Sequence, residues 1–588
     1  MAWEAVVPSG LEVGLALGCL LAFSGHADAQ IALTNITQSS GLGSFVHTPN
    51  FLSVPSNYEW LMGGLAVGDF DGDGWPDLFV PKGGQGVDAL FMNNGDGTFT
   101  NRAAVWGLAS AHAGNGAAAA DFDGDGDVDI FVTSYGTALT NVGQVGRNRL
   151  YRNEGGSFVD VADSMGVRFT GTAISSGDGA AWGDIDLDGD LDLVVAAWVA
   201  AAEGNRLFRN DGTAYTDLTG VEIEFGERHG FQPTIVDITG DGFPEILLSG
   251  DYGTSGAFVG QGGGAFVARE SEFGLGIDSN AMGTCVADLD ANGAPDWYVT
   301  SIFRDAPPGK GVFNGNALYL NEGGGSCVER SLERGCNDGG WGWGAVAVDL
   351  DHDGWEDLVE VNGVASGEWV GEQEYIFRNL GGATFERLGN ETGLQLANDV
   401  RCVATLDFDR DGDLDLAFLV NRVGLRLYRN DAPPGNSWIE LDLIGGAGTA
   451  CAPHGYGALV EIEAGGRVLR RWVHGGSGFR SSSEPVVHFG LGDVDLIDRL
   501  IVRWPNGQDA EWTAVPVRQR LVLEAPARCD LDGDGSVGMA DLMLVVERWG
   551  AIDRSDRTAR IADLDADGTV GPRDLAELLD HWVTPPRG

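Results

Sequence analysis

The sequence predicts an all-β ring of seven four-stranded units, a seven-bladed β-propeller, followed by a small β domain and a small α-helical unit. Three observations predict it. An aspartate-rich loop of the form D-x-D-x-D-G-x-x-D returns seven times, starting at Asp69, Asp121, Asp184, Asp237, Asp288, Asp349 and Asp407. Each copy is flanked by the same strand-like grammar at a spacing of 51 to 63 residues, and a fixed period in that range marks a propeller or an array. A related loop, DLDGDGSVGMAD, occurs twice near the C-terminus with a different ending.

The elements follow in chain order. Val13–Phe23 is an apolar run, and Ala27-Asp28-Ala29 before Gln30 has the small-x-small form of a cleavage site. Residues 1–29 therefore read as a secretory signal, which places the protein outside the cell or at its surface. No later segment reaches the ~18 consecutive apolar residues of a membrane span. A chain of 588 residues exceeds one core, so several domains are expected. Its net charge of −51 argues against nucleic acid or an anionic membrane as partner. Without Cys19, six cysteines remain; Cys327 and Cys336 are close enough in sequence to pair across a hairpin, whereas Cys285 and Cys402 lie in apolar runs as buried thiols.

Residues 30–432 carry the repeats. Small residues precede each loop (GLAVGDF, GAAAADF, GAAWGDI), as expected where the innermost strands of a ring converge on its axis. A β-rich run follows (DLFV, DIFV, EILLS), then an aromatic-Asn-Gly hairpin signal (LYRNEGGSF, LFRNDGTAY, IFRNLGGATF). Ile31–Leu42 looks like the end of a repeat but has no loop of its own. A ring closed by this N-terminal strand accounts for the orphan.

Each loop offers carboxylates at positions 1, 3, 5 and 9 and a backbone carbonyl at 7, with glycine at 6 for the sharp turn. Six to eight hard oxygen ligands in a flexible turn are what calcium requires. The first loop supplies Asp69, Asp71, Asp73, Asp77 and the Trp75 carbonyl; the second Asp121, Asp123, Asp125, Asp127 and Asp129. The third supplies Asp184, Asp186, Asp188, Asp190 and Asp192; the sixth Asp349, Asp351, Asp353, Trp355 and Asp357. The seventh supplies Asp407, Asp409, Asp411, Asp413 and Asp415. The fourth (Asp237, Thr239, Asp241, Phe243, Glu245) and fifth (Asp288, Asp290, Asn292, Ala294, Asp296) have each lost one charge, so weaker affinity is expected there.

On these loops and hairpin signals the chain resembles the FG-GAP/VCBS repeat family, the integrin-alpha-type propellers. The resemblance implies calcium between the first two strands of each blade in a structural role. Near the C-terminus the acids stand at positions 1, 3, 5 and 12, and helical apolar spacing follows. Those two loops, Asp530, Asp532, Asp534, Ser536, Asp541 and Asp563, Asp565, Asp567, Thr569, Asp574, are of EF-hand type. Paired in this way over 527–583, they resemble a type I dockerin, which implies a cohesin-like scaffold as partner and brings the calcium sites to nine. Between them, residues 433–526 hold GSGFRSSS, HFGLG and VRWPNG and resemble the ASPIC/UnbV domain. The propeller–ASPIC order is similar to that of the cartilage acidic proteins.

The sequence thus predicts a secreted, calcium-binding, monomeric adhesion or recognition protein for a protein or glycan ligand, without catalytic residues. The rival is an extracellular carbohydrate-active enzyme, a lyase or glycosidase, docked through its tail. His474, Ser477 and His488 lie close in sequence, but no acid completes them. Long aromatic connections on the face opposite the calcium loops nominate Trp60, His229, Phe231, Phe303, Arg304, Trp341, Trp343 and Trp369 as ligand residues, exposed aromatics beside arginine being common at binding hot spots.

Overall fold

The computed structural model describes residues 31–582 except 50–60, 84–85, 110, 112, 135–146, 169–176, 199–203, 277, 305–312, 365–368, 397–398, 433–434, 447, 450, 554–556 and 566–567. The signal-like segment 1–29 lies outside the described residues.

Residues 33–430 form seven antiparallel sheets of common order, each with four strands from the repeats. Sheet 2 is representative: Gly114–Ala120, Asp129–Ser134, Arg149–Asn153 and Phe158–Asp160, with the aspartate loop joining the first two strands. The first strands of sheets 1 to 7 start at Leu65, Gly114, Gly177, His229, Thr284, Gly342 and Val400. Each contacts the next, and the seventh contacts the first, so they line a closed cycle. All seven residues of Gly114–Ala120 are buried, which is why this run is glycine, asparagine and alanine. Larger apolar residues of the second and third strands fill the wedges between neighbouring sheets, as Ile130, Val132 and Tyr151 do with Phe79 and Met92.

Closure uses the N-terminal segment. Leu33–Asn35 pairs antiparallel with Gly424–Asn430, Leu33 opposite Asn430, and completes the seventh sheet as its outer strand. Leu42 is buried against Phe91 and Phe99 of sheet 1, so the segment bridges the junction of first and last sheets.

Two sheets form the following β domain. Ser437–Ile444 lies between Val487–Gly492 and the parallel Gln519–Glu524; Leu459–Ala464, Arg467–Trp472, Leu496–Arg503 and Asp509–Pro516 form the other. This domain sits on the loop face of the ring, and its segment 474–484 enters the axis. Ile235 and Thr284 N–H donate to the carbonyls of Gly475 and Gly478, and Ala117 N–H to that of Arg480. Ser481–Ser482 pairs in parallel with Leu65–Ala66, while Ser483 Oγ accepts Thr405 N–H at 3.1 Å. Phe479 packs between Phe231 and Trp343, with centroids 5.5 and 5.4 Å away. Arg480, fully buried, pairs with Asp178 and reaches Asn115 Oδ1 at 2.9 Å and the Leu61 carbonyl.

At the C-terminus, α2 (Met539–Glu547) and α4 (Pro572–Asp580) each follow an aspartate loop, with the short α3 (Arg557–Arg560) between them. The cysteine pairing expected from sequence does not form. A helical turn, α1 (Ser331–Arg334), separates Cys327 from Cys336, and the two thiols enter different wedges, one between sheets 4 and 5 and the other between sheets 5 and 6. Cys285 and Cys402 are buried thiols as expected.

Removing one partner of a buried ion pair leaves an uncompensated charge, at a cost of about 3–5 kcal/mol. Arg480→Met should therefore lower the urea midpoint markedly, and adding Asp178→Asn should restore part of the loss. A single variant as stable as wild type in equilibrium unfolding would show that the axial pair contributes nothing.

Candidate metal centres and the two faces of the ring

Every loop is built the same way around its first aspartate. Asp69 accepts the N–H groups of Asp73 and Gly74 at 3.1 and 2.8 Å; Asp121, Asp184, Asp237, Asp349 and Asp407 repeat this pair of bonds. In the fifth loop Asp288 keeps the bond from Gly293 at 3.0 Å. The turn so held gathers carboxylates: Asp69, Asp71 and Asp77 offer oxygens within 4.8 Å of one another, as do Asp121, Asp123 and Asp129, Asp184, Asp186 and Asp192, Asp288, Asp290 and Asp296, and Asp349, Asp351 and Asp353.

The acid at position 9 opens the second strand and is fully buried in most sheets. Asp129 accepts Phe122 N–H at 3.0 Å and Asn153 N–H at 2.7 Å. Asp77, Asp192, Asp296, Asp357 and Asp415 make the same two bonds, the second always from an asparagine of the third strand. In the fourth loop Glu245 takes the place of aspartate and still accepts Ile238 N–H at 2.9 Å.

That asparagine is the functional residue that the aspartate pattern does not reveal. Its side chain crosses to the preceding sheet and donates to the carbonyl at position 2 of that sheet's loop. Asn153 reaches Phe70 at 2.8 Å, Asn210 reaches Phe122 at 3.1 Å, and Asn379 reaches Leu289 at 2.9 Å. Asn93, reaching Phe408 at 2.8 Å, carries the same bond across the junction of sheets 7 and 1. The Asn of each hairpin signal was the visible clue, legible there as turn chemistry rather than as a staple. Sheet 4 has Gly260 at this place, and a Cβ there would lie 2.6 Å from the Pro244 carbonyl.

The donor set fits calcium. It is all oxygen, and buried oxygens at ligand positions stand ready: Asp186 Oδ1, Asp288 Oδ1, Asp351 Oδ1 and Asp409 Oδ1 have no hydrogen-bond partner among the described residues. Burial pushes the carboxyls of Asp77 and Asp296 up to about 8 and that of Asp129 up to about 9, and the neighbouring aspartates add to the rise. A bound dication would supply the charge that holds them ionised.

The two C-terminal loops end differently because a helix begins there. Asp541 accepts Leu531 N–H at 2.7 Å and Gly538 N–H at 2.6 Å, so it ties the loop to the first turn of α2; Asp574 does the same with Leu564 and Gly571 before α4. Ser536 Oγ turns to Asp534 at 2.6 Å. Asp565 and Thr569 lie in the second loop, and Asp567 lies outside the described residues.

Arginines of the β domain and tail seize the loop backbones. Arg467 donates to the Asp353 carbonyl at 2.7 Å, Arg560 to that of Gly242 at 2.7 Å, and Arg528 to that of Asp188. His488 Nε2 meets the Gly412 carbonyl at 3.1 Å and His474 Nε2 that of Val286 at 3.3 Å, so both histidines serve the interface. Asp121 N–H of the second loop donates to His454 Nε2 at 3.1 Å, so the loop face is covered over sheets 2 to 7.

The opposite face holds the aromatic residues, at the far ends of the same strands. Trp341 stands edge-on to Trp369 at 4.8 Å, and the Arg304 guanidinium lies 4.6 Å over the Trp369 ring. Trp341 also stacks with Trp343 at 6.1 Å. His229 is half-buried, its Nδ1 2.6 Å from the Trp198 carbonyl and its ring 5.2 Å from that of the exposed Tyr252. Phe303 is half-buried beside Arg304. Two nominated residues are not exposed: Phe231 and Trp343 are 2% and 1% accessible, because Phe479 fills the axis between them. Trp60 lies outside the described residues.

Comparison with known proteins gives three family matches. FG-GAP-like repeat matches residues 69–132 and 237–299, ASPIC and UnbV residues 448–529, and Dockerin type I domain residues 528–581. The chain carries FG-GAP repeats, an ASPIC/UnbV domain and a type I dockerin domain. Such domains make it an extracellular, calcium-associated protein. It is similar to cartilage acidic protein 1 of Homo sapiens, 24% identical over 318 residues, and of Xenopus tropicalis, 25% identical over 300 residues. These matches cover 43% and 40% of this chain and 45% and 44% of the relatives, so the chain spans under half the length of the curated relatives it matches. Among solved structures, an Agrocybe aegerita lectin specific for non-reducing terminal N-acetylglucosamine aligns at 18% identity and a TM-score of 0.38, over 57% of this chain and 81% of the lectin. Rhamnogalacturonan lyase YesW aligns at 16% identity and 0.34, over 63% and 72%. Likeness at that level carries no argument about activity. No helix among the described residues is long and apolar enough to cross a membrane.

Two outcomes test the loop chemistry. Asn153→Ala leaves two buried carbonyls unpaired, Phe70 and Val128, and should cost about 1–3 kcal/mol in chemical denaturation. In chelator, acids whose folded pKa is raised hold protons that the unfolded chain releases. The stability they contribute is complete below about pH 4 and is lost as pH rises through 8 to 9. Calcium-free protein should therefore melt progressively lower between pH 5 and 9, whereas calcium-loaded protein should not. Parallel melting curves in both conditions would refute the role of these carboxylates.

Proposed function

We propose that the chain is a secreted, calcium-stapled seven-bladed propeller that recognises an extracellular protein or glycan without catalysis. Calcium occupies up to nine loops in this reading, seven on the ring and two in the dockerin domain. A ligand that binds only the folded state stabilises it by ~2.7 kcal/mol per site at a hundredfold excess over Kd. The observation that carries the reading is the asymmetry of the faces. The loop face is taken up by the ASPIC/UnbV and dockerin domains, while the opposite face keeps Trp341, Trp369 and Arg304 together at its rim. Functional side chains favour the connections of a rigid scaffold, and this rim is made of such connections.

A second reading, a carbohydrate-active enzyme docked on a scaffold, is favoured by two observations. The dockerin match implies a cohesin-like partner, and α2 and the residues just after it expose Met539, Met543, Val546 and Trp549. A pair of carboxyls outside the calcium loops also lies on the aromatic face. Glu360, buried and bonded to Tyr298 and Asn316 at 2.8 and 2.6 Å, is pushed by burial up to about 8. Glu372, which accepts Trp341 N–H at 3.0 Å, is pushed by burial up to about 7. Glu360 is fully buried, so of the two only Glu372 could reach a substrate in an enzyme.

Binding and cleavage measured across a panel of extracellular glycans and proteins separates the two. Recognition predicts retention of a ligand without turnover, weakened about tenfold or more by Arg304→Ala or Trp369→Ala while the melting temperature stays put. Product formation lost on Glu372→Gln would establish the enzyme instead. Binding lost only in variants of the loop face would overturn the assignment of faces.

A further inference from the structure

The dockerin domain is fixed to the ring at two of the ring's own loops, and by the same device each time. Arg528, just before the first dockerin loop, donates to the carbonyls of Asp188 in the third ring loop and of Leu564 in the second dockerin loop. Its Nε faces Glu577 of α4 at 3.3 Å. Arg560, the last residue of α3, donates to the Gly242 carbonyl of the fourth ring loop at 2.7 Å, and its guanidinium lies 5.3 Å over the Phe243 ring. The carbonyl of Arg560 in turn accepts the N–H of Asp563, which opens the second dockerin loop, at 2.9 Å.

What each arginine grips is a residue tied on its other side to a ligand carboxylate. Asp188 N–H donates to Asp184 at 3.1 Å, Gly242 N–H to Asp237 at 2.7 Å, and Leu564 N–H to Asp574 at 2.7 Å. A path of contacts therefore runs from the first aspartate of the third ring loop, through Arg528, to the last aspartate of the second dockerin loop. A planar guanidinium with donors in fixed positions can hold both carbonyls only while both stay where their turns put them. Those turns depend on gathered carboxylates. Asp184, Asp186 and Asp192 bring oxygens within 4.8 Å of one another, and without a dication their repulsion opposes the turn that presents the Asp188 carbonyl. Leu187 adds to this: it is left-handed, at φ 64°, where the first, second and fourth loops have glycine. Its side chain lines a small hollow at the joint together with Phe243, Pro505, Ile561 and Leu564.

We propose that this joint is a calcium-dependent latch: the third ring loop and the second dockerin loop bind calcium cooperatively through it, and the dockerin domain is carried in one orientation on the ring. The latch rests on the reading of these loops as calcium sites. Met539, Met543 and Val546 of α2 stay exposed in the latched state. Coupling between two binding sites is reciprocal, so each loop must feel the loss of the other's metal by the same factor.

Hydrogen exchange of the full-length protein across a calcium titration tests it, because residues 184–192 and 563–574 report on the two loops separately. Asp565→Asn, which weakens the dockerin loop, should raise the calcium concentration that protects 184–192 by about fivefold or more. Asp186→Asn should do the same to 563–574. If that ring variant fails to fold, Asp565→Asn decides, since it leaves the ring's own ligands in place. With Arg528→Ala and Arg560→Ala together, neither aspartate substitution should move the other loop, although both loops still bind calcium. The latch is overturned if the two loops titrate independently with both arginines present, or if their coupling survives the loss of both. Calorimetry distinguishes the two failures: absence of any calcium binding overturns the latch and the calcium reading together, whereas binding without coupling overturns the latch alone.

Discussion

At the axis of a closed ring of sheets, seven first strands each present an edge of unpaired N–H and C=O groups. Buried backbone groups without partners cost as much as lost hydrogen bonds, so such an edge must be wetted, paired or avoided. Here it is paired from outside the ring. The segment 474–484 of the ASPIC/UnbV domain meets backbone groups of sheets 1, 2, 4, 5 and 7, and its Arg480 meets Asp178 of sheet 3. Sheet 6 contributes Trp343 to the packing of Phe479. Because every sheet meets this segment, the ring and the domain are one cooperative unit, and the small residues of the first strands are what leave room for it.

The rim solves a second problem, the mutual repulsion of clustered carboxylates. Backbone N–H groups take up part of that task, a bound dication would take up the rest, and the same loops pass stability sideways. Position 9 takes an N–H from the third-strand asparagine, whose side chain reaches the neighbouring loop. A loop therefore stabilises its own sheet and the contact with the next. The arginines that grip the loop carbonyls belong to the domains whose other end plugs the axis or follows it in the chain. Rim and axis are thus coupled through the ASPIC/UnbV domain, a coupling that does not require the metal to do any chemistry.

Much of this was legible in the sequence, for physical reasons that differ from place to place. The loops were visible because metal ligation fixes residue type and spacing together. The closing strand was visible because Ile31–Leu42 had a repeat's ending without its loop, and it pairs where that implied. The axial segment was not legible: GSGFRSSS carries no period, and its partners are up to 419 residues away in sequence. For the same reason Phe231 and Trp343, aromatic and beside loops, read as exposed although Phe479 covers them. The Cys327–Cys336 pairing failed because closeness in sequence says nothing about which wedge a side chain enters across an intervening helical turn.

The distribution of charge bears on how the faces are used. Nine calcium ions would neutralise only eighteen of the 51 excess negative charges, so the acidity is not merely a count of metal ligands. Arginine, rather than lysine, supplies nearly all the positive charge, and four arginines stand at internal joints: Arg480 at the axis, Arg467, Arg528 and Arg560 on the loops. A planar guanidinium can satisfy several carbonyls or a carboxylate in one fixed geometry, which an ammonium cannot. With those arginines drawn inward to the joints, Arg304 at the aromatic rim is a cation placed where a partner could meet it. Long-range repulsion from an acidic surface would then oppose anionic partners at a distance, and short-range contact at the rim would decide among those that are neutral or carry a cation.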